Sequence, residues 1–174
     1  VRDSYMVIAR SINNNGQIIR GVYVYSDRYL TLFDSESSTP TLLYGPSCMG
    51  FSISENGLIT GMNSNNHAAV FDVNGQYMNE LSTQTGAAMS INNTNQVVGW
   101  IGNQAVLYDI NDSANHVMLG GILSYEDTCA YAINSAGMIV GWGVNDFYEP
   151  GMDSCAVLFD SSGNGQNIHL NGLD

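Results

Sequence analysis

The run Ser11-Ile12-Asn13 returns as Ser52-Ile53-Ser54, Ser90-Ile91-Asn92 and Ala132-Ile133-Asn134, with the isoleucines 41, 38 and 42 residues apart. Self-similarity at a fixed period marks a repeat architecture, because each copy is one supersecondary unit that buries its apolar face only against a neighbour. The chain of 174 residues reads as one repeat domain, 1–174, with copies at approximately 4–47, 48–86, 87–128 and 129–174.

Each copy follows one plan. A first strand ends in the isoleucine, and a turn follows: Asn13-Asn14-Asn15-Gly16, Ser54-Glu55-Asn56-Gly57, Asn92-Asn93-Thr94-Asn95 and Asn134-Ser135-Ala136-Gly137. Glycine or asparagine at the last place supplies the positive φ of a short hairpin loop. An aliphatic second strand then runs to Gly21, Gly61, Gly99 and Gly141, with one extra residue in the first copy that reads as a bulge. The third strand is Leu30–Asp34, Ala68–Asp72, Ala105–Asp109 and Ala156–Asp160, and the fourth is read from Thr41–Tyr44, Tyr77–Leu81, His116–Leu119 and Asn167–Leu170. Four strands of about five residues fill a unit of this length and leave no space for an ordinary helix. The expected fold is all-β and β-propeller-like, with four tandem four-stranded antiparallel repeats of about 40 residues. A stacked solenoid is the rival, but its coils are shorter.

Two columns of the first strand stand out. Three places before the isoleucine the residue is small, as Ala9, Gly50, Ala88 and Ala130. Two places before it stand Arg10, Phe51, Met89 and Tyr131, all large. Alternation puts these columns on opposite faces, which predicts a narrow face crowded against a central axis and a bulky face packed on the neighbouring repeat. Arg10 is the misfit in an apolar column, so it is expected to be a buried charge that is paired, to be exposed at an end, or to be functional, and the preferred reading is a first repeat at an open edge or an interface where an acidic partner reaches it. No strand is left over to lock the last repeat to the first, which leaves a self-closed ring or a homo-oligomer.

Charge narrows the partners. Four basic against sixteen acidic side chains give a net charge of −12, which repels phosphate backbones and anionic lipid heads, so neither nucleic acid nor membrane insertion is expected. Cys48, Cys129 and Cys155 are an odd number, and the reading is buried free thiols, with a Cys129–Cys155 bridge as the alternative.

With these columns in place, the units resemble the HAF-type extracellular repeat of bacterial tandem β-repeat proteins, named for a His-Ala-Phe signature. Asn66-His67-Ala68-Ala69-Val70-Phe71-Asp72 carries it most fully, and the other copies hold Tyr29, Gln104 and Cys155 at the histidine place. The resemblance implies a secreted, periplasmic or cell-surface β-repeat protein with no established reaction.

Candidate sites are sparse. Asp34, Asp72, Asp109 and Asp160 close the third strands, but no glutamate follows at calcium-loop spacing, and an aspartate at that place ordinarily bonds turn amides. The histidines 67, 116 and 169 hold unlike positions with no second ligand at zinc spacing, so no metal and no cofactor are expected. Nothing resembles a nucleophile elbow. Trp100 and Trp142 follow the repeat glycine in successive copies and could pack between repeats or stack on sugar rings. Glu126-Asp127 and the loop from Gly143 to Ser154, with Asp146, Tyr148, Glu149 and Asp153, read as a solvated rim or a ligand-binding edge. The function expected is a non-catalytic binding or scaffold module that recognises a carbohydrate or protein through Trp100, Trp142, Asp146, Tyr148 and Glu149. The alternative is a glycan-active hydrolase with carboxylates drawn from different repeats.

Overall fold

The computed structural model describes residues 5–35, 37, 39–76, 78–112, 115–120, 127–144 and 154–170. The protein is all-β, and its described strands form two four-stranded antiparallel sheets and one sheet of seven strands. The sequence reads as one repeat domain, and the chain divides into two compact units, Val1–Ala88 and Met89–Asp174, each holding two repeats.

The first unit contains β1 (Tyr5–Ile12), β2 (Gln17–Val24), β3 (Asp27–Asp34) and β4 (Thr41–Tyr44), then β5 (Met49–Ile53), β6 (Leu58–Met62), β7 (His67–Asp72) and the start of β8 (Met78–Ile91). The second contains the end of β8, then β9 (Gln96–Ile101), β10 (Gln104–Asp109) and β11 (His116–Met118), and finally β12 (Asp127–Ile133), β13 (Ile139–Val144), β14 (Ser154–Phe159) and β15 (Ile168–His169). β8 fuses the expected fourth strand of the second repeat with the first strand of the third. Strands neighbour one another in chain order within each repeat.

The first turns form as their chemistry dictates. Gly16, Gly57, Asn95 and Gly137 have φ of 74°, 78°, 66° and 79°. Ahead of them, the Oδ1 atoms of Asn13, Asn92 and Asn134 each accept two backbone N–H groups, two and four residues on. This Asx turn closes the hairpin and fixes the asparagine rotamer. The strand-closing aspartates do the same more simply, with Asp72, Asp109 and Asp160 accepting from the amides of Asn74, Asn111 and Ser162.

The first strand corrects the two-column reading. Ala9 pairs with Arg20 and Ser11 with Ile19; Gly50 pairs with Gly61 and Ser52 with Thr60; Ala130 pairs with Gly141 and Ala132 with Val140. One residue is therefore extra each time: Arg10, Phe51 or Tyr131, the large column. A bulge takes its own residue out of the ladder and shifts the alternation by one, which brings the small residue and the isoleucine onto the same face. In the second and fourth repeats that face, and not the bulky column, packs on the leading repeat of the unit. A Cβ on Gly50 would lie 2.6 Å from Leu30 and 3.0 Å from Ile59, so the small column is what admits the neighbour. Tyr131 and Arg10 are exposed. β2 itself runs unbroken against β3 from Gln17 to Val24, so the extra residue before Gly21 is not a bulge.

The two cores are built alike. In the first unit, Ile19 and Leu30 of the leading repeat meet Ile53, Ile59, Ala69 and Phe71 of the trailing one. In the second, Val98, Ala105 and Leu107 meet Ala130, Ile133, Ile139, Val157 and Phe159. The recurrent signature stitches the same junction with hydrogen bonds. Ser11 Oγ accepts from Ile53 N at 3.3 Å and Asn13 Nδ2 donates to Ser54 O at 3.1 Å. Ser90 Oγ accepts from Ile133 N at 3.4 Å and Asn92 Nδ2 donates to Asn134 O at 3.2 Å. Ser-Ile-Asn thus belongs to the leading repeat of each pair, where both polar side chains find backbone partners in the trailing one.

The three cysteines are free and buried. Cys129 on β12 and Cys155 on β14 have β13 between them, a gap of two strand spacings, about 9.5 Å. That exceeds the reach of a disulfide, so the alternative pairing fails.

Candidate functional site

Trp100 near the end of β9 and Trp142 on β13 line one cleft of about 290 Å³, closed by Gly102 and Asn103 of the β9–β10 turn and by Asp127, Thr128 and Cys129 at the start of β12. The lining positions follow from register. Cys129 is the cross-strand partner of Trp142, and Thr128 laces the turn to β12. Its N–H donates to Asn103 O at 2.9 Å while its Oγ1 accepts from Ala105 N at 2.9 Å. The cleft floor is therefore backbone-fixed, and its walls are two indoles.

Two polar features distinguish it. Asp127 was read from sequence as part of a solvated rim, yet its Oδ1 is buried and has no hydrogen-bond partner among the described residues. A buried carboxylate oxygen with no donor among the described residues costs desolvation free energy, and the residue that carries it stands in the wall of this cleft. Burial also pushes the Cys129 thiol up to about 11, so it remains a neutral, apolar lining group at ordinary pH and not a nucleophile.

The corresponding place in the first unit is filled. The Arg28 carbonyl accepts from Ser47 N as that of Asn103 does from Thr128 N, which makes the two residues equivalent. The Arg28 guanidinium reaches Met49 Sδ at 3.2 Å and Asn66 Oδ1 at 3.0 Å. Met49 pairs with Met62 as Cys129 pairs with Trp142, so the arginine side chain occupies the space that the short Asn103 leaves open. Sequence reasoning found both tryptophans through the glycine column. It missed Asn103 and Thr128, whose only signal is alignment against Arg28 and the first strand of the next repeat.

The other expected residues fall elsewhere. Asp146, Tyr148 and Glu149, with Glu126 and Asp153, lie outside the described residues. Arg10 is neither buried nor paired with a carboxylate among the described residues. Its Nη2 donates to Tyr23 Oη at 2.9 Å and its guanidinium lies 5.6 Å from the centre of the Phe51 ring. As the bulge residue it leaves the apolar ladder, which is why a charge is tolerated there. His67 Nδ1 stands 3.1 Å from Glu80 Oε2, an ion pair when the imidazole is protonated. Among the described residues no cluster of three or more His, Cys, Asp or Glu side chains is placed to hold a metal, and no helix is long and apolar enough to cross a membrane.

No protein-family model matches the chain, and no curated protein matches it. Solved structures do. A puromycin-hydrolyzing peptidase of Mycobacterium tuberculosis superposes with a TM-score of 0.64 at 11% identity over 94% of this chain and 28% of its own. An oligogalacturonate lyase in complex with manganese is similar over 95% of this chain and 66% of its own, with a TM-score of 0.47 and 10% identity. At such identities the peptidase likeness shows a shared fold and carries no activity across. The chain spans less than a third of that peptidase.

Proposed function

We propose that this chain is a propeller-like repeat module of the HAF type, exported to the cell surface, periplasm or medium, which binds carbohydrate without turning it over. The observation that carries the reading is the Trp100–Trp142 cleft with the Asp127 carboxylate in its wall, one oxygen of which has no partner among the described residues. Indole faces offer flat apolar surfaces that match the C–H faces of a pyranose, while a fixed carboxylate accepts from sugar hydroxyls and sets orientation. A volume near 290 Å³ suits one or two sugar residues of a longer chain. Binding is preferred over hydrolysis because the two-carboxylate mechanism needs a second acid across the bond, and among the described residues Asp127 is the one carboxylate that lines this cleft. The four-stranded sheets repeated at this period and the shared fold over 94% of the chain support the propeller-like arrangement. A net charge of −12 favours neutral over anionic glycans.

The test is a neutral-oligosaccharide panel titrated by calorimetry against the protein and its Trp100→Ala and Trp142→Ala variants. Saturable binding weakened about tenfold in each variant is expected, since one stacked aromatic contributes on the order of 1–1.5 kcal/mol. Equal binding by protein and variants would overturn the assignment. Release of reducing ends, abolished by Asp127→Asn, would instead establish the hydrolase.

A further inference from the structure

Equivalent apolar positions form the junction within each unit, and the first and last repeats each present one half of it to solvent. On the trailing side, Ile53 and Ile133 are 6% and 9% exposed, whereas the equivalent Ile12 of the first repeat is 63% exposed. It stands with Ala9, Arg10, Ser11 and Ile18 on an open, largely apolar concavity. On the leading side, Ile19 and Val98 are fully buried, whereas the equivalent Val140 of the fourth repeat is 40% exposed. Its cross-strand neighbours are Ala132 and Leu158, and Ile168 continues the row beyond Leu158. Ala156, the counterpart of buried Leu30 and Ala105, is also exposed. Contiguous apolar sheet faces of this kind mark interaction surfaces.

We infer that the exposed face of the fourth repeat docks on the exposed face of the first repeat of a second copy of this chain, repeating head to tail the junction that each unit already contains. Three observations commit the occupant to a second copy. The two faces are opposite halves of one interface, so each copy carries what the other lacks, as heterologous association requires. The apolar residues match those of the internal junction by position: Val140, Ala156 and Leu158 for Val98, Ala105 and Leu107, and Ala9, Ile12 and Ile18 for Ala130, Ile133 and Ile139. The hydrogen-bond stitch is also half-made. Asn134 is held by the same Asx turn as Asn13 and Asn92, which in those residues aims Nδ2 at the next repeat's backbone carbonyl, yet no acceptor for Asn134 Nδ2 is present among the described residues. The matching carbonyl is Asn13 O, which among the described residues accepts from Gly16 N alone where Ser54 O and Asn134 O each accept a second donor. The serine stitch is missing, because Ala132 stands in its place. This junction therefore has fewer hydrogen bonds than the internal ones and suits reversible association.

Light scattering and sedimentation of the chain across concentration, with Ile12→Asp and Val140→Asp variants, provide the test. The parent chain is expected to form dimers or larger species as concentration rises, and each variant alone to remain monomeric, because every junction then contains one charged face. An equimolar mixture of the two variants is expected to recover dimers and nothing larger, since only one intact pairing of faces exists. Recovery on mixing itself shows that both variants fold. Asn134→Ala, a surface change, is expected to weaken association about fivefold, the value of one net hydrogen bond. A parent chain monomeric to about 1 mM, as a different protein or a further repeat as occupant would give, overturns the inference. So do variants that associate as the parent does, or folded variants that stay monomeric when mixed.

Discussion

The two units share a junction and differ in what fills the space beside it. In the first, Arg28 lies against Met49 and reaches Asn66; in the second, Asn103 stops short and leaves Trp100 and Trp142 facing an open cleft. The scaffold is the same in its bulges, its buried isoleucines and its asparagine stitches. What distinguishes the filled place from the open one is therefore the side chain at the start of the third strand, Arg28 or Asn103, and the residue after the repeat glycine, Met62 or Trp142. Loop chemistry varies on a constant frame, which is how repeat proteins separate folding from recognition.

The sharpest way to break the equivalence is at the glycines. A Cβ on Gly61 would sit 1.7 Å from Met49 O, and one on Gly141 would sit 1.9 Å from Cys129 O. Both contacts are with backbone and cannot be relieved by a rotamer. Gly61→Ala and Gly141→Ala are each expected to cost about 3 kcal/mol, read as a large fall in chemical-denaturation midpoint. At Gly21 the nearest group is the movable Tyr23 ring at 3.3 Å, so Gly21→Ala is expected to change stability by no more than about 1 kcal/mol. Equal effects at all three would break the account of the junction.

The stitches come next. Asn13→Ala and Asn92→Ala each remove a buried Asx turn and a bond to the partner repeat, and each is expected to cost about 2 kcal/mol. A difference larger than about 1 kcal/mol between them would show that the two junctions are not energetically alike.

A smaller effect separates the units by pH. Burial raises the thiols of both Cys48 and Cys129, but in the first unit a backbone hydrogen bond from Ser64 and the positive Arg28 oppose it. A folded thiol that keeps its proton after the unfolded chain has lost its own contributes stability that is complete below pH 9.0 and disappears as pH rises through about 11. Unfolding curves between those limits are expected to lose stability, with a larger share of the slope removed by Cys129→Ala than by Cys48→Ala.

Much of this was legible in the amino-acid order. The period, the all-β class, the hairpin turns and the tryptophan column follow from local chemistry that acts residue by residue. The parity of the first strand does not, because a bulge at Arg10, Phe51 and Tyr131 shifts every later side chain while leaving composition unchanged. The Arg28 plug was equally hidden, since its contacts with Met49 and Asn66 join residues 21 and 38 places apart. The rim carboxylate Asp127 gave no sign that one of its oxygens would be buried, because burial depends on the turn that Thr128 ties down.

The measurement that bears most directly on the contrast is a two-dimensional NMR titration of the tryptophan indole N–H signals with a neutral oligosaccharide, in the protein and in Asn103→Arg. The account expects the Trp100 and Trp142 signals to shift and saturate together in the parent, and to stay still in Asn103→Arg, where the new side chain fills the cleft as Arg28 does in the first unit. Saturating shifts of equal size in the variant, or shifts confined to residues of the first unit, would contradict it.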